Sequence, residues 1–137
     1  WDQRRKELVL VQEMWPVRVL VIGGLDRAVL GQGLGVTVRE WQPGSWTGHF
    51  VTDLSSVTVH DPTGNLMLLS DMSSILAEYA PDGTPLGLLT LWSGWHGLTR
   101  WVPQAEGVAI GPDDAVFIVS EPNLFYRFDP AVTLSQP

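Results

Sequence analysis

The segment VFIVSE, residues 116–121, decides the fold because its pattern occurs three times in the chain. LMLLSD begins at residue 66, an offset of 50 residues, and LVLVQE begins at residue 8, a further 58 residues upstream. Each copy has four apolar residues, then one small or amide polar residue, then one acid. Repetition at a spacing of roughly fifty residues is typical of repeat architectures, so each copy predicts one structural unit.

A second repeated element precedes the two later copies. The segments are DLSSVTVHDPTGN, residues 53–65, and AEGVAIGPDDA, residues 105–115. In both, an acid comes before a short alternating strand, at residues 57–59 or 108–110, and a turn rich in Pro, Asp and Gly follows. The repeated unit therefore begins as strand, tight turn, strand.

Two further strands complete the unit. A third strand is predicted at residues 75–79 and at 124–128, and the turn PDG at residues 81–83 leads to a fourth at residues 86–92. Four short strands repeated every fifty residues or so are typical of a β-propeller blade. An all-β sandwich also has evenly spaced strands, but it would not place the same acid at the same point of each repeat.

The predicted fold class is therefore all-β, with propeller blades of four antiparallel strands. The blades fall near residues 8–50, 53–92 and 104–130 of one partial propeller domain that spans residues 1–137. This amounts to about two to three blades, whereas a closed propeller needs four to eight. We expect a fragment of a propeller with roughly five or six blades, or closure with another copy, because each blade is stabilised by its neighbours.

Charge and composition narrow the class of partner. With 15 acidic and 8 basic residues the net charge is -7, which argues against nucleic acid as a partner and favours metal ions or cationic ligands. The absence of cysteine excludes disulfides and thiolate metal sites. The segment of residues 8–25 is apolar overall but includes too many polar and helix-breaking residues for a membrane span. The chain opens on Trp1 rather than Met, so we expect the true N-terminus, with any export signal or membrane anchor, to lie upstream.

The recurring acids predict one acidic mouth of the propeller. The start of one antiparallel strand and the end of its partner lie at the same edge of a sheet. Asp53 and Asp71 have this relation, Glu106 and Glu121 repeat it, and Glu13 ends the corresponding strand of the first unit. Crowded carboxylates favour a hard cation such as Ca²⁺, with these five acids as its ligands. The alternative is that each acid caps strand-end amides or faces water.

The connection LWSGWHGLTRWVPQAEG, residues 91–107, should arrive at the same mouth because it contains Glu106. Its residues Trp95, His96 and Gln104 are predicted to bind a ligand, with the tryptophans as an aromatic wall. Packing of the tryptophans between blades is the alternative. The three histidines of the chain lack the spacing of a zinc site.

The segments at residues 53–83 and 103–128 resemble the C-terminal half of the SdiA-regulated, YjiK-like β-propeller family of bacteria. The most specific parts are QAEGVA, residues 104–109, and VSEPNLFYRF, residues 119–128. The resemblance implies an extracytoplasmic or membrane-anchored protein of the cell envelope, and it links Asp53, Glu106 and Glu121 to calcium. Most members have no established activity, and this chain lacks the N-terminal blades of a full member.

The leading hypothesis is a propeller module of the cell envelope that binds Ca²⁺ or a small ligand at its acidic mouth. A calcium-dependent phosphoesterase of phytase type is the first alternative. It would need basic residues to hold phosphate, and Arg100 and Arg127 are the only ones expected near the mouth. The second alternative is a protein-interaction propeller whose acidic face docks a partner.

Overall fold

The computed structural model describes residues 1–32, 35–43 and 51–131, which form antiparallel β-structure and one short helix. The end of the first predicted blade, at residues 44–50, and the end of the predicted domain, at residues 132–137, lie outside the described residues. The elements are β1 Glu7–Gln12, β2 Arg18–Gly23, α1 Leu25–Val29, β3 Thr37–Trp41, β4 Ser56–His60, β5 Asn65–Ser70, β6 Ile75–Tyr79, β7 Pro85–Thr90, β8 Ala105–Ile110, β9 Val116–Ser120 and β10 Leu124–Phe128.

The strands form three sheets in chain order, β1–β2–β3, β4–β5–β6–β7 and β8–β9–β10, and every pairing is antiparallel. The all-β prediction is confirmed, and the three sheets are consistent with successive blades of a propeller. The strands predicted at residues 75–79 and 124–128 have the same bounds as β6 and β10. The other predicted strands overlap observed ones, with each repeated acid one residue beyond its strand.

The pairing at the start of the first sheet matches the pairing at the start of the middle sheet, as the repeat predicts. In the middle sheet the first strand ends at His60, which pairs with Asn65 at the start of β5. In the first sheet Asp2 forms a bridge to Glu7 at the start of β1, over the same separation of five residues. Strand β1 therefore corresponds to the second strand of a blade.

Apolar side chains fill both spaces between neighbouring sheets. The alternation of a strand sends Leu66 and Leu68 toward the first sheet, where they pack against Val19 and Val21. From the next position of the same strand, Leu69 points to the other face, into a cluster with Ile118 of the third sheet. Because β5 is buried on both faces, its sequence is apolar almost throughout.

Polar contacts join the sheets at their inner edge. The Ser55 hydroxyl donates to the Ala105 carbonyl over 2.6 Å, and the Val108 amide donates to the Ser56 hydroxyl over 3.3 Å. The first strands β4 and β8 thus lie side by side, as the innermost strands of propeller blades do. The helix α1 connects β2 to β3, and none of the described residues forms a helix long and apolar enough to cross a membrane.

Truncation of Ile118 tests the packing between the middle and third sheets. Ile118→Ala should lower the free energy of unfolding by about 2–5 kcal/mol, because it removes a fully buried side chain and leaves a cavity. Urea denaturation measures the loss. The neighbouring substitution Val119→Ala is the control, because Val119 is 48% exposed and should change stability by less than about 1 kcal/mol. Equal losses for the two variants would contradict the packing described.

Candidate functional site

The ends of β1, β5 and β9 that carry the repeated acids meet at one end of the sheets. The Leu54 amide, just before β4, donates to the Glu13 carbonyl over 3.0 Å. The Ala105 amide donates to the Asp71 carboxylate over 2.9 Å, and the Glu121 amide donates to the Gln104 carbonyl over 3.1 Å. We call Glu13, Asp53, Asp71, Glu106 and Glu121 together the acidic mouth.

The five acids of this mouth share one electrostatic field. Partial removal from water raises the pKa of Glu106 above its ordinary value of 4.5. Repulsion from Asp71, Glu121, Glu13 and Asp53 raises that pKa further. Glu106 therefore senses every other member of the mouth, although it lies on the surface.

Asp53 is the most buried acid of the mouth, and its carboxylate holds the turn between β5 and β6. It accepts hydrogen bonds from the Ser70 hydroxyl, from the Asp71 amide at 3.2 Å and from the Met72 amide at 3.1 Å. Only 6% of the residue is exposed to solvent. These bonds use both carboxylate oxygens, so Asp53 caps strand-end amides, which is the alternative that the sequence left open.

Asp71 also accepts a hydrogen bond from a backbone amide, and this amide belongs to the next sheet. Its carboxylate accepts the Ala105 amide at the start of β8, so it fastens the third sheet to the end of the middle one. A charged acceptor on a backbone amide forms a stronger hydrogen bond than a neutral one does. Asp71 is half-buried and also faces the field of the mouth.

The other three members, Glu13, Glu106 and Glu121, are exposed. Within the described part of the chain, their carboxylates have no hydrogen bond or ion pair. Glu106 lies at a bulge of β8, where the pairing shifts between Ala105 and Gly107. Such a bulge leaves one residue unpaired and redirects its side chain. These three glutamates are the free acceptors of the mouth.

Asp53 and Glu106 do not occupy equivalent positions, although the repeat predicted that they do. Val57 pairs with Leu68 and Val108 pairs with Ile118, which aligns the two first strands. Ser120 ends β9 as Ser70 ends β5, and it pairs with Ala105. Glu106 is therefore the extra residue of the bulge and has no counterpart in β4. Counted back through the bulge, Pro103 is the counterpart of Asp53. The sequence could not show this because the bulge shifts the register by one residue.

The chemistry of the mouth suits a hard cation, but its side chains are not assembled around one. Carboxylate oxygens are the ligands that Ca²⁺ prefers. Across residues 1–32, 35–43 and 51–131, no three Asp, Glu or His side chains lie close enough together to form a metal site. Binding of Ca²⁺ would therefore require the glutamate side chains to converge.

The three predicted ligand residues lie in different surroundings. The carbonyl of Gln104 accepts the Glu121 amide, so Gln104 lies at the acidic mouth. Trp95 and His96 lie on the connection between β7 and β8, with their ring centroids 6.2 Å apart and Trp95 57% exposed. His96 and Arg100 line a separate cavity of about 530 Å³ beside β10.

The connection between β7 and β8 has both packed and exposed tryptophans. Trp92 stacks on Trp101 with ring centroids 5.6 Å apart, and its indole N–H donates to the Ser73 carbonyl at 3.4 Å. The Val102 amide donates to the Leu91 carbonyl at 3.1 Å and closes the base of the loop. The half-buried Trp92 thus supports the exposed Trp101.

Arg127 does not lie near the mouth, contrary to the expectation from sequence. It pairs with Phe117, near the start of β9, whereas the mouth lies at the end of that strand. Its guanidinium donates to Asp113 and Asp129, each at 2.8 Å, and these contacts raise the pKa of Arg127. The expectation failed because the charge of Arg127 is used in a turn at the opposite end of the sheet.

Sequence reasoning missed a polar contact around His60. Its Nδ1 lies 2.8 Å from the Thr63 hydroxyl, and its Nε2 lies 3.0 Å from the Asp114 carboxylate of the third sheet. Thr63, His60 and Asp114 are the residue types of a hydrolase triad. The Thr63 hydroxyl, however, accepts a hydrogen bond from the Asn65 amide and lies within a tight turn. The arrangement clamps two turns together. Only the His60 and Thr63 spacing could have been read from the sequence, since Asp114 is distant in the chain.

Comparison with known proteins gives one family match. A family model described as SdiA-regulated matches residues 1–129. The match covers all ten strands and all five acids of the mouth.

The structural role of Asp53 predicts a stability difference between two acids of the mouth. Asp53→Ala should lower the free energy of unfolding by about 2–4 kcal/mol, because it leaves buried donors unpaired. Glu121→Ala should change it by no more than about 0.5 kcal/mol, since that side chain is exposed and makes no contact within the described residues. Urea denaturation of both variants measures the difference. If Asp53→Ala were as mild as Glu121→Ala, the capping role would be wrong.

Proposed function

Because the chain belongs to the SdiA-regulated family, we propose that it is a β-propeller module of the cell envelope that binds Ca²⁺ or a small cationic ligand at its acidic mouth. The observation that carries the proposal is that the sheets bring five acids to one end, where Glu13, Glu106 and Glu121 are exposed and have no hydrogen bond or ion pair within the described residues. Desolvation and repulsion from the four other acids raise the pKa of Glu106, in agreement with this arrangement. A cation at this position removes that repulsion, and the gain drives binding.

The members of the mouth have different roles in this proposal. Asp53 and Asp71 hold the backbone, since their oxygens already accept amides. The exposed Glu13, Glu106 and Glu121 supply the ligands, with up to two oxygens each. Ca²⁺ takes six to eight oxygens in a loose geometry, so backbone carbonyls and water complete its shell. Binding in this proposal requires the three exposed glutamate side chains to converge on the ion.

We expect the affinity for Ca²⁺ to be weak, because the three glutamate side chains are exposed and not preassembled. Ordering three exposed side chains costs conformational entropy, which lowers the affinity relative to a preassembled site. Calcium sites of extracellular modules have dissociation constants of about 0.1–1 mM, and we expect a value in this range. An affinity of this size suits the proposed location outside the cytoplasm. Fractionation of cells that produce the natural protein would test that location.

The positions of the basic residues make phosphoester hydrolysis a weaker candidate function. Arg127 lies at the far end of the third sheet and is held by two aspartates. Arg100 lines the cavity beside β10. Arg18, which pairs with Gln12 beside Glu13, forms an ion pair with Glu40. A phosphate group at the mouth would therefore meet several carboxylates and few basic side chains that could bind its oxygens.

Calcium titration tests the proposed site. Isothermal titration calorimetry should give a Kd of about 0.1–1 mM for the wild type. The double variant Glu106→Gln and Glu121→Gln should weaken binding by about tenfold or more, because it removes two charged ligands. Asp61→Asn is the matched control, since it removes an exposed carboxylate at the opposite end of the middle sheet. The proposal fails if the wild type binds no Ca²⁺ at millimolar concentration, or if the double variant binds as the wild type does.

The raised pKa of Glu106 predicts a dependence of stability on pH. Glu106 holds its proton more tightly in the folded chain than in the unfolded chain, so stability is lost as the pH rises from its ordinary pKa of 4.5 through the raised value. Glu106→Gln removes this loss. In calcium-free buffer the variant should melt about 1–3 °C above the wild type at neutral pH, a small effect because the group is exposed to screening by solvent.

The same comparison well below pH 4.5 should show no difference in Tm, because Glu106 is then protonated in both folded and unfolded chains. Thermal denaturation followed by circular dichroism at the two pH values measures both results. A variant that melts below the wild type at neutral pH would show that Glu106 is not repelled by its neighbours.

A further inference from the structure

Large exposed apolar side chains lie in the turns and the connection at the same end of the sheets as the acidic mouth. They are Met14, Trp15, Met72, Trp95 and Trp101, and we call them the apolar rim. Trp15 is 86% exposed and Met72 is 73% exposed, which is unusual for side chains of this size. Exposed apolar patches with polar neighbours mark interaction sites in soluble proteins.

The members of the rim share one end of the molecule because of where they lie in the repeat. Met14 and Trp15 follow Glu13 in the turn after β1, and Met72 follows Asp71 in the turn after β5. The connection with Trp95 and Trp101 begins where the Leu91 amide donates to the Ser74 carbonyl over 2.9 Å, at that same turn. The rim and the acids therefore form one face.

The tight turns at the opposite end of the sheets differ in composition. Residues 61–64, 80–84 and 111–115 have the sequences DPTG, APDGT and GPDDA, which contain no Trp, Met or other large apolar residue. The exposed Val29 and Leu30 of the α1 region belong to the connection between β2 and β3 instead. Among the turns of the described residues, those at the mouth carry the exposed Met and Trp side chains, while the exposed Trp1 precedes β1 at the opposite end.

A recess beside the rim has the size of one apolar side chain. It has a volume of about 170 Å³ and is lined by Trp15, Pro16, Val17, Gln42, Pro43 and Val51. Protein interfaces are commonly anchored by one apolar side chain in such a recess, surrounded by aromatic and Met contacts.

We propose that the apolar rim docks an extended segment of a partner protein that alternates apolar residues with Lys or Arg. One apolar side chain of the segment occupies the recess beside Trp15, and others pack on Met72 and the exposed tryptophans. The basic side chains point toward Glu106 and Glu121, whose carboxylates are exposed. The chain has a net charge of -7, so the electrostatic attraction is to a cationic segment.

Charge also selects this occupant over two others. A lipid surface that carries anionic head groups would repel the acidic mouth. A second copy of the chain would bring the same acids against each other. Docking does not depend on the proposed calcium site, and Ca²⁺ bound at the mouth would weaken it by lowering the negative charge.

Three peptides of equal length test the proposal on the full chain in the presence of a calcium chelator. One alternates Leu with Lys, one alternates Leu with Glu and one alternates Ser with Lys. The Leu and Lys peptide should bind, with a blue shift of the tryptophan emission, and addition of salt should weaken its binding. The other two should bind at least about tenfold more weakly, because each lacks one of the two required components.

Two single substitutions locate the binding. Trp15→Ser and Met72→Ser should each weaken binding of the Leu and Lys peptide by about tenfold, the effect of losing one anchor. Both side chains are exposed, so the variants should fold. Val29→Ser is the matched control, because it removes an apolar side chain that is 85% exposed away from the mouth, and it should leave the Kd unchanged.

Several results would overturn the proposal. One is equal binding of the three peptides, and another is binding of the Leu and Lys peptide that Trp15→Ser and Met72→Ser leave intact. Binding to phosphatidylcholine vesicles that Trp15→Ser abolishes, without peptide binding, would assign the rim to a lipid surface. Self-association in sedimentation experiments that Met72→Ser abolishes, without peptide binding, would assign it to a second copy of the chain.

Discussion

The buried carboxylate of Asp53 determines how the acidic end of the middle sheet is built. The turn between β5 and β6 leaves the amides of Asp71 and Met72 without partners in the sheet, and the Asp53 carboxylate accepts both. With that turn fixed, the Asp71 carboxylate is in place to accept the Ala105 amide of the next sheet. Two acids thus satisfy buried donors, and their negative charge remains at one end of the molecule.

This structural use of two acids explains the character of the other three. Because Asp53 and Asp71 are committed to backbone amides, Glu13, Glu106 and Glu121 are the acids at the mouth that have no partner among the described residues. These three glutamates lie in the electrostatic field of the Asp53 and Asp71 carboxylates, whose loss would lower the stability of the fold. In the proposed function these three glutamates supply the ligands for a cation, while Asp53 and Asp71 keep their backbone contacts.

Local features of the fold could be predicted from the sequence, and contacts between sheets could not. The repeated apolar runs in VFIVSE and LMLLSD, with the turns around them, predicted the strands within a few residues. The bulge at Glu106 could not be predicted, because it depends on how β8 meets β9, and it misaligned Asp53 with Glu106. The contact of His60 with Asp114 and the distance of Arg127 from the mouth likewise depend on how turns of different sheets meet.

The central claim is that five carboxylates gather at one end of the sheets and that a cation relieves their repulsion. Its most direct test is a pH titration of the glutamate side-chain carbons by ¹³C NMR, with and without calcium. The account predicts that Glu106 titrates above 4.5 without calcium, and that calcium lowers its pKa. A pKa of 4.5 for Glu106 that calcium does not change would contradict it.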